Sequence, residues 1–141
     1  MSDVSAPVAA WVCEKLGLPT CPYESVYLLT HKDLFREFLR KNGFNCPSSQ
    51  GFSTIEDAQR FLQKMKFPVM VKPTDSAGSK GVTRIDEPSQ LVAAVEAAKA
   101  YSLSGRFILE EFVDSFGCQV AGDGFSVDGE LVFSCFMAKQ R

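Results

Sequence analysis

The sequence lacks the features that mark several large classes of protein. Its 15 Lys and Arg are outnumbered by 17 Asp and Glu, so the 141-residue chain has no basic excess with which to hold nucleic acid. It contains no apolar run long enough to cross a membrane, and its first residues lack the basic start and apolar core of a secretory signal. We therefore predict a protein that binds neither nucleic acid nor membranes, in which any anion site must be built locally.

Patterns typical of metal sites and of thiol chemistry are absent as well. The five cysteines are scattered without a Cys-x-x-Cys pair, and His31 is the only histidine. An odd number of unpatterned cysteines is typical of free thiols in a reducing compartment, which predicts a cytoplasmic protein. No basic residue is visibly paired with a cysteine, so none of the five is a candidate nucleophile.

Apolar residues are abundant, and their spacing outlines a folded domain. Hydrophobic residues make up 45% of the chain and include 12 Phe, enough for a globular core. Predicted helices lie in the stretches "APVAAWVCEKLG", "THKDLFREFLRKNG", "STIEDAQRFLQKMKF" and "EPSQLVAAVEAAKAYS". Predicted strands lie at 48–52 and in "PVMVK", "GVTRI" and "RFILEEFV", and Asp128-Gly129 predicts a hairpin between "CQVAGDGFSV" and "ELVFSCFMA". Because strands and helices do not alternate repeatedly, we predict an α+β fold with an antiparallel sheet, not a doubly wound parallel sheet.

Capping residues fix where the predicted helices begin. Thr30, with Asp33 three residues later, is predicted to cap the second helix. Ser53 and Glu56 form a predicted capping box for the third. The residues of the fourth helix that are predicted to face inward are Leu91, Val92, Val95 and Ala98.

One loop carries chemistry suited to phosphate. In "FPVMVKPTDSAGSKGV", Gly78 and Gly81 let the backbone approach a ligand closely, while Lys72 and Lys80 supply positive charge. The stretch is neither a P-loop nor a dinucleotide fingerprint, since both open a helix and here a strand pattern follows. Judged on composition alone, a loop of this kind is more often simply a turn between two strands.

Three motifs in order resemble the ATP-grasp family of ATP-dependent ligases, which includes the carbamoyl-phosphate synthase and phosphoribosylglycinamide synthetase-like enzymes. They are "THKDLFREFLRKNGFNCP", the glycine-rich stretch above, and "RFILEEFVD". The preceding "PVAAWVCEKLGLP" looks like the end of the domain that commonly comes before this fold. The resemblance divides the chain into the tail of that domain at 1–22, linking helices at 23–66, and a flap-bearing ATP-grasp subdomain at 67–141. It implies an antiparallel sheet with helices packed on one face.

The resemblance also implies a role for each matching residue. Lys32 and Lys72 would contact the nucleotide phosphates, and the flap that closes over them would be Ser76, Ala77, Gly78, Ser79, Lys80 and Gly81. The adenine slot would be formed by Glu110, Glu111, Phe112 and Val113, and only one of the two glutamates can face the nucleotide because residues alternate along a strand. Many relatives carry a ribose-binding glutamate where this chain has Gln119, which can hydrogen-bond a hydroxyl but brings no charge. Either Gln119 makes a weaker contact, or Glu110 or Glu111 takes the role.

The function implied is that of an ATP-binding fragment of a ligase. Such enzymes use ATP and Mg2+ to activate a carboxylate as an acyl-phosphate, which an amine or similar nucleophile then attacks. The metal ligands lie in a later part of the fold, so we assign no catalytic residue and no metal ligand here, and we expect the chain alone to be inactive. Apolar surface, including that around Trp11 and Val12, predicts self-association. The alternative is a non-catalytic nucleotide-sensing or protein-interaction module that has kept the flap; a mononucleotide kinase is disfavoured by the failed P-loop match.

Overall fold

The computed structural model describes residues 4–139. The helices are α1 (Ala6–Lys15), α2 (Tyr23–Thr30), α3 (Lys32–Lys41), α4 (Ile55–Leu62) and α5 (Leu91–Ala100). The strands are β1 (Ser49–Phe52), β2 (Val69–Pro73), β3 (Thr83–Ile85), β4 (Phe107–Glu111), β5 (Gln119–Val127) and β6 (Glu130–Lys139). A short 3-10 turn, Pro88–Gln90, leads into α5. None of the helices within 4–139 combines the length and the apolar character needed to cross a membrane.

The first four strands form one sheet in the order β1-β4-β2-β3, and every neighbouring pair is antiparallel. The hairpin β5–β6 forms a second sheet of its own. The structure thus confirms the predicted α+β class and the predicted antiparallel sheet. Strand β4 lies in the interior of the larger sheet, and its first four residues are buried on both faces.

The apolar core lies between one face of the sheet and the helices α4 and α5. Side chains alternate along a strand, so this face collects residues such as Val69, Val71, Ile85, Phe107 and Leu109, all of them inaccessible to solvent. The residues of α4 and α5 that pack against this face are Ala58, Leu62, Leu91, Ala94, Val95 and Ala98. Burying each of the larger side chains stabilises the fold by roughly 1.5–3 kcal/mol, so this layer holds the sheet rigid.

Helix α3, which falls within the predicted linking helices at 23–66, lies against the opposite face of the sheet. The contact is close at Gly51 on β1, where a Cβ would sit 2.6 Å from Asp33 Oδ2 and 2.7 Å from Asp33 Cβ. Gly51 is therefore needed for this approach. Asp33 in turn accepts a hydrogen bond from Arg106 at 2.8 Å. The face that carries the candidate nucleotide residues is thus closed by polar contacts rather than by an apolar layer.

Three details of the helices differ from the sequence prediction. Helix α2 was not predicted, and Thr30 is its last residue. The Thr30 hydroxyl donates to the carbonyls of Val26 and Tyr27 within α2. His31, not Thr30, occupies the N-cap position of α3. Thr54, not Ser53, caps α4 by accepting from the backbone of Asp57. In α5, Val92 was predicted to face inward but is 43% exposed. Ala94 faces the core in its place.

The hairpin β5–β6 turns at Asp128 and Gly129, as predicted. Both residues have positive φ, 48° and 84°, which is the conformation of the tight hairpin turns that match strand twist. Apolar side chains are exposed on both of its faces, among them Phe125, Phe133 and Phe136. Trp11 and Val12 on α1 are also exposed, at 48% and 40%.

Candidate nucleotide-binding site

A buried carboxylate organises the polar face of the sheet. Glu110 is only 4% exposed, yet two cations reach it from different elements. Lys72 Nζ on β2 lies 2.5 Å from its Oε1, and Arg36 Nε on α3 lies 2.8 Å from its Oε2. The register pairs Met70 with Glu110 and Lys72 with Ile108, so Glu110 and Lys72 project from the same face as diagonal neighbours. The cluster ties α3, β2 and β4 together at one point.

Glu110 is held as a carboxylate by its partners. Burial acts to raise its pKa, but the hydrogen bonds from Arg36 and Lys72 and the charges of both outweigh that effect, and the pKa lies below the usual glutamate value. A protonated Glu110 would leave two neighbouring cations without a counter-charge. The three groups therefore form a fixed unit with one positive charge in excess.

Lys32 connects the start of α3 to the root of the glycine-rich loop. Its backbone N–H donates to the Thr74 carbonyl at 2.9 Å, and its Nζ donates to the Ser76 carbonyl at 2.5 Å. Burial lowers the pKa of Lys32, and repulsion by the nearby charge of Lys72 lowers it further, against the pull of surrounding acids. The fold thus brings together two lysines that are 40 residues apart in the chain.

The loop between β2 and β3 combines an exposed, glycine-rich tip with a closely packed end. Gly78, Ser79 and Gly81 all have positive φ, between 58° and 69°. A Cβ at Gly78 would meet nothing within 4 Å, whereas one at Gly81 would lie 3.0 Å from the Ala97 carbonyl oxygen. Gly81 therefore anchors the loop against α5, while the exposed tip from Gly78 to Lys80 is unsupported.

The two adjacent glutamates point to different sides, as strand alternation requires. Glu110 accepts a hydrogen bond from Lys72 on one side of the sheet. The exposed Glu111 accepts a hydrogen bond from the backbone N–H of Ser48 at 3.1 Å. The backbone N–H groups of Glu111 and Phe112 donate to the carbonyls of Ser48 and Pro68. The N–H of the next residue, Val113, has no such partner among the described residues, and its side chain is 62% exposed.

The remaining candidates belong to the flap and to β5. Lys80 is exposed at the tip of the flap, and Ser76 and Ala77 are half-buried at its root. Gln119 is the exposed first residue of β5, opposite Lys139, and among residues 4–139 it makes no hydrogen bond to Lys32 or Lys72. The ribose contact stays a prediction.

Sequence reasoning missed Arg36, which supplies one of the two contacts to Glu110. A signal was available, because Lys32, Arg36 and Arg40 are spaced i, i+4 and i+8 and must lie on one helix face. In the structure Lys32 bonds to Ser76, Arg36 to Glu110, and Arg40 to the Ser49 carbonyl at 3.2 Å. Helix α3 therefore turns a basic face toward the sheet.

The described residues do not fit a magnesium site. Within 4–139 there is no group of three or more His, Cys, Asp or Glu side chains that could hold a metal ion. Glu110, the carboxylate closest to the candidate lysines, is engaged by two cations. We assign no metal ligands and derive no step through the ion.

Comparison with known proteins decides the family. Residues 31–122 match the family described as "Carbamoyl-phosphate synthase L chain, ATP binding domain". The chain belongs to this ATP-grasp family. All the candidate residues, from Lys32 to Gln119, fall within the matched range.

Individual ATP-grasp relatives cover most of the chain at modest identity. The "ATP-grasp enzyme fsqD" of Aspergillus fumigatus is 26% identical over 127 residues, which is 89% of this chain and 21% of the relative. A D-alanine–D-alanine ligase of Lactococcus lactis is 28% identical over 132 residues, 92% of this chain and 31% of that protein. Among solved structures, the VanG D-Ala:D-Ser ligase of Enterococcus faecalis superposes with a TM-score of 0.78 at 26% identity, covering 91% of this chain and 37% of that one. The chain therefore spans about a fifth to a third of the length of these ATP-grasp proteins.

Proposed function

We propose that this chain forms the flap-bearing, ATP-binding part of an ATP-dependent ligase. In the reaction proposed, a carboxylate oxygen attacks the γ-phosphorus of ATP, the bond from that phosphorus to the bridging oxygen breaks, and ADP leaves. An amine or similar nucleophile then attacks the acyl carbon of the acyl-phosphate, and inorganic phosphate leaves. The observation that carries the proposal is the convergence of Lys32 and Lys72 at the root of a glycine-rich flap, within the range that matches an ATP-binding domain.

The lysines suit phosphate because each retains donors after its protein contact. An ammonium group has three N–H donors. Lys72 donates one hydrogen bond to Glu110, and Lys32 donates one to the Ser76 carbonyl, so each lysine has two N–H groups left for phosphate. Around the two lysines the cations are Lys32, Lys72, Arg36 and Arg106, and the acids are Glu110, Asp33 and Asp75, which leaves one positive charge in excess. The flap backbone from Gly78 to Gly81, with its positive φ values, lets N–H groups approach the phosphates.

The adenine base is proposed to bind at the end of β4. Of the three backbone N–H groups from Glu111 to Val113, two already donate to Ser48 and Pro68. We therefore assign the Val113 N–H as the donor to the base. Glu110, which shares a face with Lys72, is the glutamate on the nucleotide side, and Glu111 lies on the other side, at Ser48.

Isothermal titration of the chain with ATP tests the nucleotide site. Lys72→Ala should weaken ATP binding about tenfold or more, because a charge-assisted hydrogen bond to phosphate is lost. Lys41→Ala is the matched control, since it removes the same charge from an exposed position at the end of α3, where the lysine pairs with the exposed Glu37. Unchanged ATP affinity in Lys72→Ala, with its fold intact by circular dichroism, would contradict the assigned role. Trapping of a hydroxamate by hydroxylamine, in the full gene product that carries this sequence, tests the acyl-phosphate.

Self-association remains a prediction that the exposed apolar surface supports. The hairpin carries Phe125, Phe133 and Phe136 at 57% exposure or more. Sedimentation velocity over a concentration series measures the effect, and Phe133→Lys should shift the chain toward the monomer. If the chain sediments as a monomer at every concentration, the prediction of self-association is wrong.

A further inference from the structure

A second cavity lies beside the flap. It has a volume of about 540 Å³ and lies between α1, α2, the flap root and the loop that leads into β4. Its wall is mostly apolar, with Val8, Trp11, Tyr23, Tyr27 and Leu103 among the lining residues. The volume falls within the range typical of small-molecule sites.

The cavity is not the phosphate site. Neither Lys32, Lys72 nor Glu110 lines it, and no described residue of its wall is Lys or Arg. It does share Ser76 and Ala77 with the flap, and the Ser76 carbonyl accepts the hydrogen bond from Lys32. A ligand in the cavity would thus lie next to the place where ATP phosphates are proposed to bind.

One polar corner of the cavity carries fixed negative charge. Asp75 lines it, with one carboxylate oxygen 2.7 Å from the Ser102 hydroxyl and the other 2.8 Å from the Ser104 backbone N–H. Burial raises the pKa of Asp75, but these hydrogen bonds more than offset it and keep the pKa below the usual aspartate value. Each carboxylate oxygen can accept a further hydrogen bond, so Asp75 is a pre-positioned acceptor for a cation.

His31 also lines the cavity. Its Nδ1 lies 2.7 Å from the Tyr27 carbonyl oxygen, and because a carbonyl only accepts, Nδ1 carries the proton. The ring also stacks on Tyr27, with the centroids 3.9 Å apart. In the neutral imidazole Nε2 is therefore an acceptor, and it has no hydrogen bond within 4–139. The cavity combines an aromatic wall with acceptors and an anion, which suits an ammonium group on an apolar body.

We propose that this cavity binds the acid substrate of the ligase, an α-amino acid with a large apolar or aromatic side chain. Its ammonium group meets Asp75, its side chain packs against Trp11 and Leu103, and its carboxylate is directed to the flap root at Ser76. This assignment rests on the proposed function, because the carboxylate must reach the γ-phosphoryl group of ATP. It goes beyond that function by naming the substrate class and the residues that select it.

Trp11 supplies a direct readout, because it is the only tryptophan of the chain and it lines the cavity. Titration with L-phenylalanine should change its fluorescence saturably at millimolar concentration or below. Phenethylamine, which keeps the ammonium group, should also bind. The ligand 3-phenylpropionate, which lacks the ammonium group, should bind at least about tenfold more weakly than phenylalanine. Asp75→Asn should abolish the difference between phenylalanine and 3-phenylpropionate.

A matched pair of substitutions tests the location. Leu103→Arg places a charge in the apolar wall and should weaken phenylalanine binding about tenfold or more. Leu29→Arg makes the same change at a 61% exposed position of α2 outside the cavity and should leave that binding unchanged. No saturable fluorescence change with phenylalanine, equal binding of all three ligands, or wild-type affinity in Leu103→Arg would each overturn the proposal.

ATP titration of the same samples separates this inference from the proposed function. If ATP binds and phenylalanine does not, the cavity assignment fails while the nucleotide site stands. If phenylalanine binds with the predicted selectivity and ATP does not, the nucleotide function fails while the cavity remains an amino acid site without its assigned role in a ligase.

Discussion

Replacing Glu110 with glutamine tests whether the buried ion cluster holds the polar face of the sheet together. The carboxylate is the common partner of Lys72 and Arg36. Glutamine keeps the size of the side chain but removes its charge, and its amide offers N–H donors to two groups that only donate. We expect Glu110→Gln to lower the free energy of unfolding.

The magnitude follows from the burial of the three groups. Removing one partner of a fully buried ion pair costs about 3–5 kcal/mol, because the remaining charge is left uncompensated. Here the side chains of Lys72 and Arg36 keep 19% and 27% of their exposure, so water screens part of the loss. We therefore expect a loss of about 2–3 kcal/mol in Glu110→Gln, scaled down from the fully buried case.

Urea unfolding followed by circular dichroism measures this loss. With a slope of about 1–3 kcal/mol per molar urea, the midpoint should fall by roughly 0.7–3 M. Glu111→Gln is the matched control, because it makes the same chemical change at the neighbouring exposed residue, whose carboxylate accepts one hydrogen bond from Ser48. That control should lose no more than about 1 kcal/mol.

The pH dependence gives a second signature of the cluster. The pKa of Glu110 is below its usual value of 4.5 in the folded state. Its contribution to stability is therefore fully present above that value and is lost as the pH falls from there through the folded-state pKa. The wild-type protein should lose stability more steeply than Glu110→Gln in this acidic window. Equal stability of Glu110→Gln and wild type at neutral pH, or parallel pH profiles, would refute the reasoning.

Two further substitutions test the packing of α3 and the corrected helix cap. Gly51→Ala should destabilise the fold by about 1–3 kcal/mol, since the new Cβ would lie 2.6 Å from Asp33 Oδ2; an unchanged thermal midpoint would show that α3 can move away freely. Thr54→Ala should cost about 1 kcal/mol in urea unfolding, because it removes the side-chain cap of α4. Ser53→Ala should lower the free energy of unfolding by less than Thr54→Ala does. If Ser53→Ala lowers it more, Ser53 is the cap of α4.

The strands and the hairpin were predictable because their signals are local. Strand β2 is a short apolar run that ends at Lys72 and Pro73, and Asp128-Gly129 specifies a tight hairpin turn. Helix α2 was missed for an equally local reason. It begins after Pro22 without a side-chain cap, and none of its residues is buried, so it shows no clear apolar stripe. Thr30 was then assigned to the wrong helix because it lies at the junction of two.

The site was only partly predictable, because two of its contacts depend on tertiary structure. The flap and its lysines were found from motifs, but those motifs do not say what Glu110 contacts. Arg36 lies on the basic face, and its role becomes visible only when that face is known to meet β4. Spacing alone could have identified the face but not its partner.

A chain with a net charge of −2 can still build a cationic site, because each acid around that site already accepts hydrogen bonds from neighbouring groups and cations are in excess there. Asp33, the neighbour of Lys32 in sequence, is bound by Arg106 at 2.8 Å. Asp75 is held by Ser102 and Ser104, and Glu110 is shared between Lys72 and Arg36. Burial and the charge of Lys72 lower the pKa of Lys32 more than these acids raise it. Phosphate oxygens placed between the two lysines would offset that repulsion, so their arrangement favours an anion.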